Sequence, residues 1–245
     1  SLTGHTESVT AVTFSPDGKF IISANEGEPN DAYTIDPVGT VSILDVDQNF
    51  AVTTIDFSGF AGQEDLLKAK GLRKFGLNAS FAQDMEPEYV AISANSKTAW
   101  VSLQENNAIA RIDIKSKTIE EILPLGFKNY NLSFNAIDPS DADGMIGNLS
   151  TWPVKGMYLP DAIAVMPHNG VPFVYSANEG DSRDYTGYKE EIKLTDFPET
   201  KLDLTAFPNR ADLIKKAQLG NLKLTKTLGD TDGDGDYDEL YSFGA

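Results

Sequence analysis

The sequence has no cysteine and only two histidines, His5 and His168. The first absence excludes disulfides and thiolate metal sites, and the second leaves too little imidazole for a histidine-rich centre. Any metal must then be held by oxygen, which selects calcium or magnesium. Basic residues are scarce as well: 20 Lys and Arg stand against 37 Asp and Glu, a net charge of -17. A nucleic-acid binder carries a basic face, so nucleic acid is not an expected partner. The acidity points instead to cations, basic partners or solubility. No apolar run reaches the ~18 residues of a membrane span. Ser1 to Gly18 reads as mature sequence rather than an export signal. A nucleophile elbow, a P-loop and a dinucleotide fingerprint are all missing.

What is present is a repeat. Thr10–Glu26 (TAVTFSPDGKFIISANE), Glu88–Glu105 (EYVAISANSKTAWVSLQE) and Asp161–Glu179 (DAIAVMPHNGVPFVYSANE) each read as strand, turn, strand, roughly 75 residues apart. The turns fall at Ser15-Pro16-Asp17-Gly18, Ala94-Asn95-Ser96 and Pro167-His168-Asn169-Gly170. Thr40–Val46 and Ala108–Ile114 supply a third strand, and Ala51–Phe57 and Thr118–Leu123 a fourth. Four antiparallel strands per unit is a propeller blade.

The expected fold class is therefore all-β: a partial β-propeller of about three to four large four-stranded blades with short helical insertions. Blades are expected near 1–60, 84–125 and 158–245, separated by insertions 61–83, 126–157 and 186–220, in a fragment of a longer chain. Too few blades to close a ring predict open sheet edges and self-association through them. Two insertion segments read as helices on the surface. Gln63–Lys70 ends at Gly71 as C-cap, and Arg210–Leu219 starts at Asn209 as N-cap and ends at Gly220.

Two constellations carry chemistry. In Asp230-Thr231-Asp232-Gly233-Asp234-Gly235-Asp236-Tyr237-Asp238, acids alternate through a loop with Gly at position six. A tight loop presents alternate residues to one point, which suits a hard cation needing about six to eight oxygens. Position twelve of an EF-hand would be a Glu and is Tyr241 here. The spacing instead suits a calcium hairpin like that of integrin-type FG-GAP blades. Asp230, Asp232, Asp234 and Asp238 would then give side chains and Asp236 its carbonyl. The competing reading is a solvated acidic loop. Calcium is the expected cofactor, in a structural role.

The second constellation follows from the repeat. First strands start, and second strands end, at one mouth of a propeller. That gathers Glu26, Glu88, Glu105, Asp161 and Glu179, with Glu28, Asp31, Asp181 and Asp184 in the following loops. The mouth reads as a cation or ligand site, with Arg183 placed to contact an anion. The alternative is that these acids serve turns and that Arg183 pairs with nearby carboxylates. Asp138–Gly144 has three acids and no hairpin frame, so it reads as a loop. Trp100 and Trp152 read as packing residues, and His168 as an exposed turn residue.

Several long motifs resemble one family. Ala82-Gln83-Asp84-Met85-Glu86-Pro87-Glu88-Tyr89-Val90, Leu103-Gln104-Glu105-Asn106-Asn107-Ala108, Gly156-Met157-Tyr158-Leu159-Pro160-Asp161-Ala162-Ile163 and Ala177-Asn178-Glu179-Gly180-Asp181 are similar to the choice-of-anchor I proteins. So is the acidic loop running into Asp238-Glu239-Leu240-Tyr241 and Phe243-Gly244-Ala245. The resemblance implies a secreted or surface-attached propeller. Members carry labels such as alkaline phosphatase-like, surface-layer-like and mesenchyme-specific cell surface glycoprotein. It supplies no catalytic set to transfer.

Two functions follow as expectations. The first is a calcium-stabilised extracellular or cell-surface binding or scaffold module of unknown ligand. The second is a calcium-dependent phosphoester hydrolase with metals at Glu26, Glu105 and Glu179 and phosphate at Arg183, activating water without a Ser or Cys nucleophile. Few basic residues are available to hold a phosphate, which ranks it second.

Overall fold

The computed structural model describes residues 9–245; residues 1–8, which include His5 and the start of the first expected blade, lie outside the described residues. Strands are numbered along the chain. The first eight are β1 (Val9–Phe14), β2 (Phe20–Asn25), β3 (Thr40–Asp45), β4 (Ala51–Asp56), β5 (Pro87–Ile92), β6 (Thr98–Leu103), β7 (Ala108–Asp113) and β8 (Thr118–Pro124). Then come β9 (Phe127–Asn129), β10 (Lys155–Met157), β11 (Pro160–His168), β12 (Val171–Asn178), β13 (Glu191–Lys193), β14 (Lys223–Thr225) and β15 (Tyr241–Phe243). Three short α-helices accompany them among the described residues, beside several single helical turns: α1 (Glu64–Lys68), α2 (Phe81–Asp84) and α3 (Arg210–Leu213). No described helix is long and apolar enough to cross a membrane.

The chain divides into two compact units. The first holds residues up to Gly126, with Leu159–Asp181 and Tyr185–Tyr188. Its sheets β1-β2-β3-β4 and β5-β6-β7-β8 are antiparallel four-stranded meanders, the form of a propeller blade. The architecture is thus all-β and blade-like, as the repeat predicts. β11 and β12 pair only with each other among the described residues.

The two blades repeat down to single hydrogen bonds. In the first, Gly18 N–H donates to Ser15 O (2.8 Å), and Ser15 Oγ accepts from Phe20 N (2.9 Å) and donates to Asp17 Oδ1 (2.7 Å). In the second, Ser96 N–H donates to Ser93 O (2.9 Å), and Ser93 Oγ accepts from Thr98 N (3.0 Å) and donates to Asn95 Oδ1 (2.8 Å). Gly18 and Ser96 both take positive φ, 72° and 59°. The turns touch, since Asp17 N–H donates to Ser96 Oγ at 3.1 Å. The third hairpin turns at Asn169 and Gly170, both at positive φ, with His168 exposed beside them.

One core joins the blades: Ile22, Val41, Ile43, Val90, Val101, Leu103, Ala110 and Ile112 are buried together. Leu67 of α1, Leu72 and Phe81 of α2 belong to the same core. The first insertion is therefore not a surface decoration. Its sequence hid this because only one residue of α1, Leu67, is buried. Gly71 does close α1: Leu72 N–H reaches Leu67 O (3.0 Å) and Gly71 N–H reaches Lys68 O (2.9 Å), with Gly71 at φ 103°. Trp100 packs in a smaller cluster with Ile109 and Ile163.

The second unit holds Phe127–Tyr158, Ser182–Asp184 and Lys189–Ala245. Its sheet runs β13-β14-β15-β10-β9, with β10 and β15 parallel and the other pairs antiparallel. Tyr130, Val154, Leu194, Leu202, Phe207, Leu213, Leu219, Leu224 and Leu240 form its core, with Trp152 partly buried against them. The stretch 158–245 therefore divides between the units. Residues 126–157 and 189–245, which read as separate insertions and blade, build one core.

The expected helix Arg210–Leu219 is shorter than its pattern. α3 ends at Leu213, Asn209 makes no side-chain cap, and Lys216–Gly220 is a distorted turn. Leu213 and Leu219 both enter the core. Six residues apart, they would face different sides of a continuous helix, so packing breaks it. This segment too is core rather than decoration.

Candidate functional site

Among the described residues two groups of carboxylates converge, one in each unit. In the first unit, Glu26, Glu88 and Glu105 bring one oxygen each to within 4.8 Å of one another. Glu26 follows the end of β2, Glu105 follows the end of β6, and Glu88 is the second residue of β5. A register shift marks the first strand of all three hairpins, between Val9 and Ala11, Pro87 and Val90, and Pro160 and Ile163. A bulge of this kind re-aims a side chain and is common at functional rims. Glu88 is half-buried there, while its neighbour Tyr89 is exposed.

Glu105 is held from behind by buried polar groups. Arg73, wholly buried, donates from Nη1 to Glu105 O at 2.8 Å and lies over the Phe75 ring. Asn106 Nδ2 donates to Asp84 O (2.7 Å) and Arg73 O (3.1 Å), and its Oδ1 accepts from Glu86 N (3.0 Å). Asn107 Nδ2 donates to Gly71 O and Gly126 O, and its Oδ1 accepts from Leu159 N. The Gln104 amide, with its nitrogen turned to Glu88, lies 2.8 Å from both carboxylate oxygens.

Burial pushes the Glu88 carboxyl up to about 9, helped by the negative charge of Glu105, Glu26, Asp161 and Asp181. Asp161 and Asp181 thus act on the group at a distance. Glu179 is exposed, and its backbone N–H donates to Leu159 O. Arg183 belongs to the second unit and is 1% exposed; its N–H donates to Glu190 Oε1 at 3.1 Å. Sequence reasoning gave no role to Gln104, Arg73 and Asn106. Their signal was only that they sit beside Glu105 or inside an insertion.

In the second unit, the acidic loop joins β14 to β15. Asp230, Asp232 and Asp238 bring oxygens to within 4.8 Å of one another. Asp230 also accepts from Gly233 N (2.7 Å) and Gly235 N (3.1 Å), while Asp238 accepts from Thr231 N and Thr231 Oγ1. Those bonds from Thr231 hold the Asp238 carboxyl below its usual range. Slight burial, then Asp234, Asp203 and Asp238, push Asp236 up. Asp234 and Asp236 accept or donate within the loop, Asp236 N to Asp234 Oδ1 at 3.1 Å, and stand outside the converging trio. The loop neck is closed by Asp238 and Glu239 N–H on Gly229 O. Lys201 Nζ donates to Gly235 O at 2.6 Å. The Asp138–Gly144 stretch is a loop, with Asp138 Oδ2 accepting from Gly147 N and Asn148 N.

No curated protein matches the chain. Among solved structures, U3-55K matches at 16% identity over 52% of this chain and 31% of that one, TM-score 0.32. The RRP9 WD40 repeats match at 15% identity over 52% and 30%, TM-score 0.32. The β-propeller domain of Cps50 (Swd1) from Myceliophteria thermophila matches at 12% identity over 74% and 43%, TM-score 0.30. Each match spans less than half of the other chain, and at these scores the blade assignment rests on the sheets themselves. The choice-of-anchor I domain, by contrast, matches residues 5–245. The repeats, the bulged acidic rim and the acidic loop all lie within that match, and the chain belongs to the choice-of-anchor I family.

Proposed function

We propose that this chain is a calcium-stabilised propeller module for binding or scaffolding, secreted or displayed at a cell surface. The observation that carries calcium is the loop between β14 and β15. Three carboxylates converge there, while two glycine amides fold back on Asp230 and two Thr231 donors fix Asp238. Carboxylates packed this closely repel unless a cation joins them. The extracellular setting rests on family membership. Asp234 and the Asp236 carbonyl complete the proposed ligand set when the loop tightens on the ion.

The test is thermal unfolding of chelator-treated protein with and without calcium. Calcium should raise the melting temperature, and Asp230→Asn with Asp238→Asn should abolish the rise. An unchanged transition at millimolar calcium sinks the calcium reading.

A second reading, a calcium-dependent phosphoester hydrolase, is favoured by the convergence of Glu26, Glu88 and Glu105. A phosphate would need a cation besides the metal, and the guanidinium proposed for it, Arg183, is only 1% exposed. That keeps the scaffold reading first. Hydrolysis of a generic phosphoester that disappears in the Glu26→Gln/Glu88→Gln/Glu105→Gln variant would reverse the order.

A further inference from the structure

Between β9 and β10 the second unit carries a loop that is stapled by its own polar side chains. Ile137 and Ser150 pair at its base, each N–H on the other's carbonyl at 3.0 Å. Trp152 Nε1 donates to Ile137 O at 3.2 Å, and both side chains pack against the core of the unit. Inside the loop, Asp138 Oδ2 accepts from Gly147 N (2.8 Å) and Asn148 N (3.1 Å). Asp143 Oδ1 accepts from Met145 N and its Oδ2 from Asn148 Nδ2, both at 2.9 Å. Ser140 Oγ accepts from Ala142 N at 3.0 Å and donates to Lys216 O, which ties the loop to the rest of the unit. These bonds hold residues 138–149 in a compact surface loop without burying its apolar side chains.

The loop holds out apolar groups from which the fold gains no burial. Ile146 is wholly exposed, and Leu149 and Met145 are 65% and 54% exposed. Met145 and Ile146 sit between Gly144 and Gly147, both at positive φ, so two sharp bends carry the pair at the loop tip. Together with Asp138, Pro139, Ser140 and Asp141 they line an open cavity of about 380 Å³. The two acids of this cavity are not neutralised by a cation among the described residues. Asp138 spends only Oδ2 on the staples, and Asp141 makes neither a hydrogen bond nor an ion pair there. Lys216, whose carbonyl receives Ser140, pairs with neither acid. An exposed apolar patch marks an interaction surface, and uncompensated carboxylates within it set the sign of what it takes.

We propose that the loop 138–149 is a docking site for a basic, apolar segment of a partner protein. A lysine or arginine head meets Asp138 Oδ1 and Asp141, its methylenes lie along Pro139 and Met145, and an apolar neighbour of the basic residue covers Ile146. Charge decides against the other occupants. The chain carries a net charge of -17, so a second copy brings like charge to these acids, and an anionic membrane does the same. An uncharged bilayer accepts Ile146 but takes water from Asp141 and gives it no partner. The inference goes beyond the binding-module reading by naming a surface and a partner chemistry, and it is independent of calcium at the loop between β14 and β15.

The probe is the end-blocked peptide glycyl-leucyl-lysyl-leucyl-glycine, titrated to millimolar into the intact chain in chelator. The readout is NMR of labelled methionine methyls. Met145 reports on the loop, and Met166, also exposed but on β11 of the first unit, is the control. Met145 should shift saturably while Met166 stays still. The same peptide with norleucine for lysine should bind about two- to fivefold more weakly, and Asp141→Asn should shrink that preference. Ile146→Ser should weaken the lysine peptide about tenfold and leave the melting temperature unchanged, because a wholly exposed side chain gives the fold no burial. Four results overturn the proposal: no shift of Met145, equal shifts of Met145 and Met166, equal binding of the norleucine peptide, or a preference for lysine that Asp141→Asn leaves intact. Broadening of Met145 by phosphatidylcholine vesicles without any response to the peptide would also overturn it, and would put a bilayer in the partner's place.

Discussion

Glu88→Gln should make the calcium-free protein more stable, and more so as pH rises. The carboxyl of Glu88 lies in a partly buried group of like charges that pushes it up to about 9 from an ordinary 4.5. The unfolded chain loses this proton near pH 4.5, whereas the folded chain keeps it to about pH 9. Within that window the folded state binds more protons, so stability falls as pH rises. The ceiling on the slope is about 1.4 kcal/mol per pH unit. From pH 4.5 to 7.5 this reaches about 4 kcal/mol, and partial solvent exposure reduces it to roughly 1–2 kcal/mol. Glutamine keeps the shape and the contact with Gln104 but carries no proton to lose. Urea unfolding in chelator at pH 5, 6, 7 and 8, read from Trp100 in the first unit, measures both slopes. The variant should match the wild type near pH 5 and exceed it by roughly 1–2 kcal/mol at pH 7–8. Parallel pH profiles for the two proteins would refute the reasoning.

Other outcomes follow from single contacts. Gly229→Ala should destabilise the second unit and weaken calcium binding at the loop, because a Cβ there would lie 2.2 Å from Glu239 O at a φ of 115°; calorimetry of calcium binding with a melt checks both. Asn106→Ala should cost about 2–4 kcal/mol in urea unfolding, since it strips partners from several buried backbone groups at once. Ser15→Ala and Ser93→Ala should each cost about 1 kcal/mol, and by similar amounts, because each hydroxyl closes the same turn.

The blades were legible because their information is local. Alternating strands, the Ser-Pro-Asp-Gly turn and a repeated Ser-Ala-Asn-Glu need only short windows to be read. Gly71 likewise announces the end of α1 by its own conformational freedom. The second unit was not legible, because β9 and β10 are three-residue strands from one insertion, and β10 pairs with β15 from the far end of the chain. Nothing in a three-residue strand identifies its partner. The mouth was half legible. The repeat brought Glu26, Glu88 and Glu105 to one rim, but the buried polar groups behind Glu105 have no sequence mark. Nor did Asn106 look like more than a loop residue until its amide was seen joining three segments.

The central claim is that oxygen ligands in the loop Asp230–Asp238 hold calcium. The most direct measurement is a calorimetric calcium titration of chelator-treated wild type beside the Glu26→Gln/Glu88→Gln/Glu105→Gln variant and an Asp230→Asn/Asp238→Asn variant. The account predicts one site that survives the glutamine changes and is lost with the two aspartates, with a matching loss of the calcium-dependent rise in melting temperature. Heat that disappears with the glutamates would instead place calcium at the propeller mouth, and no binding at millimolar calcium would contradict the account.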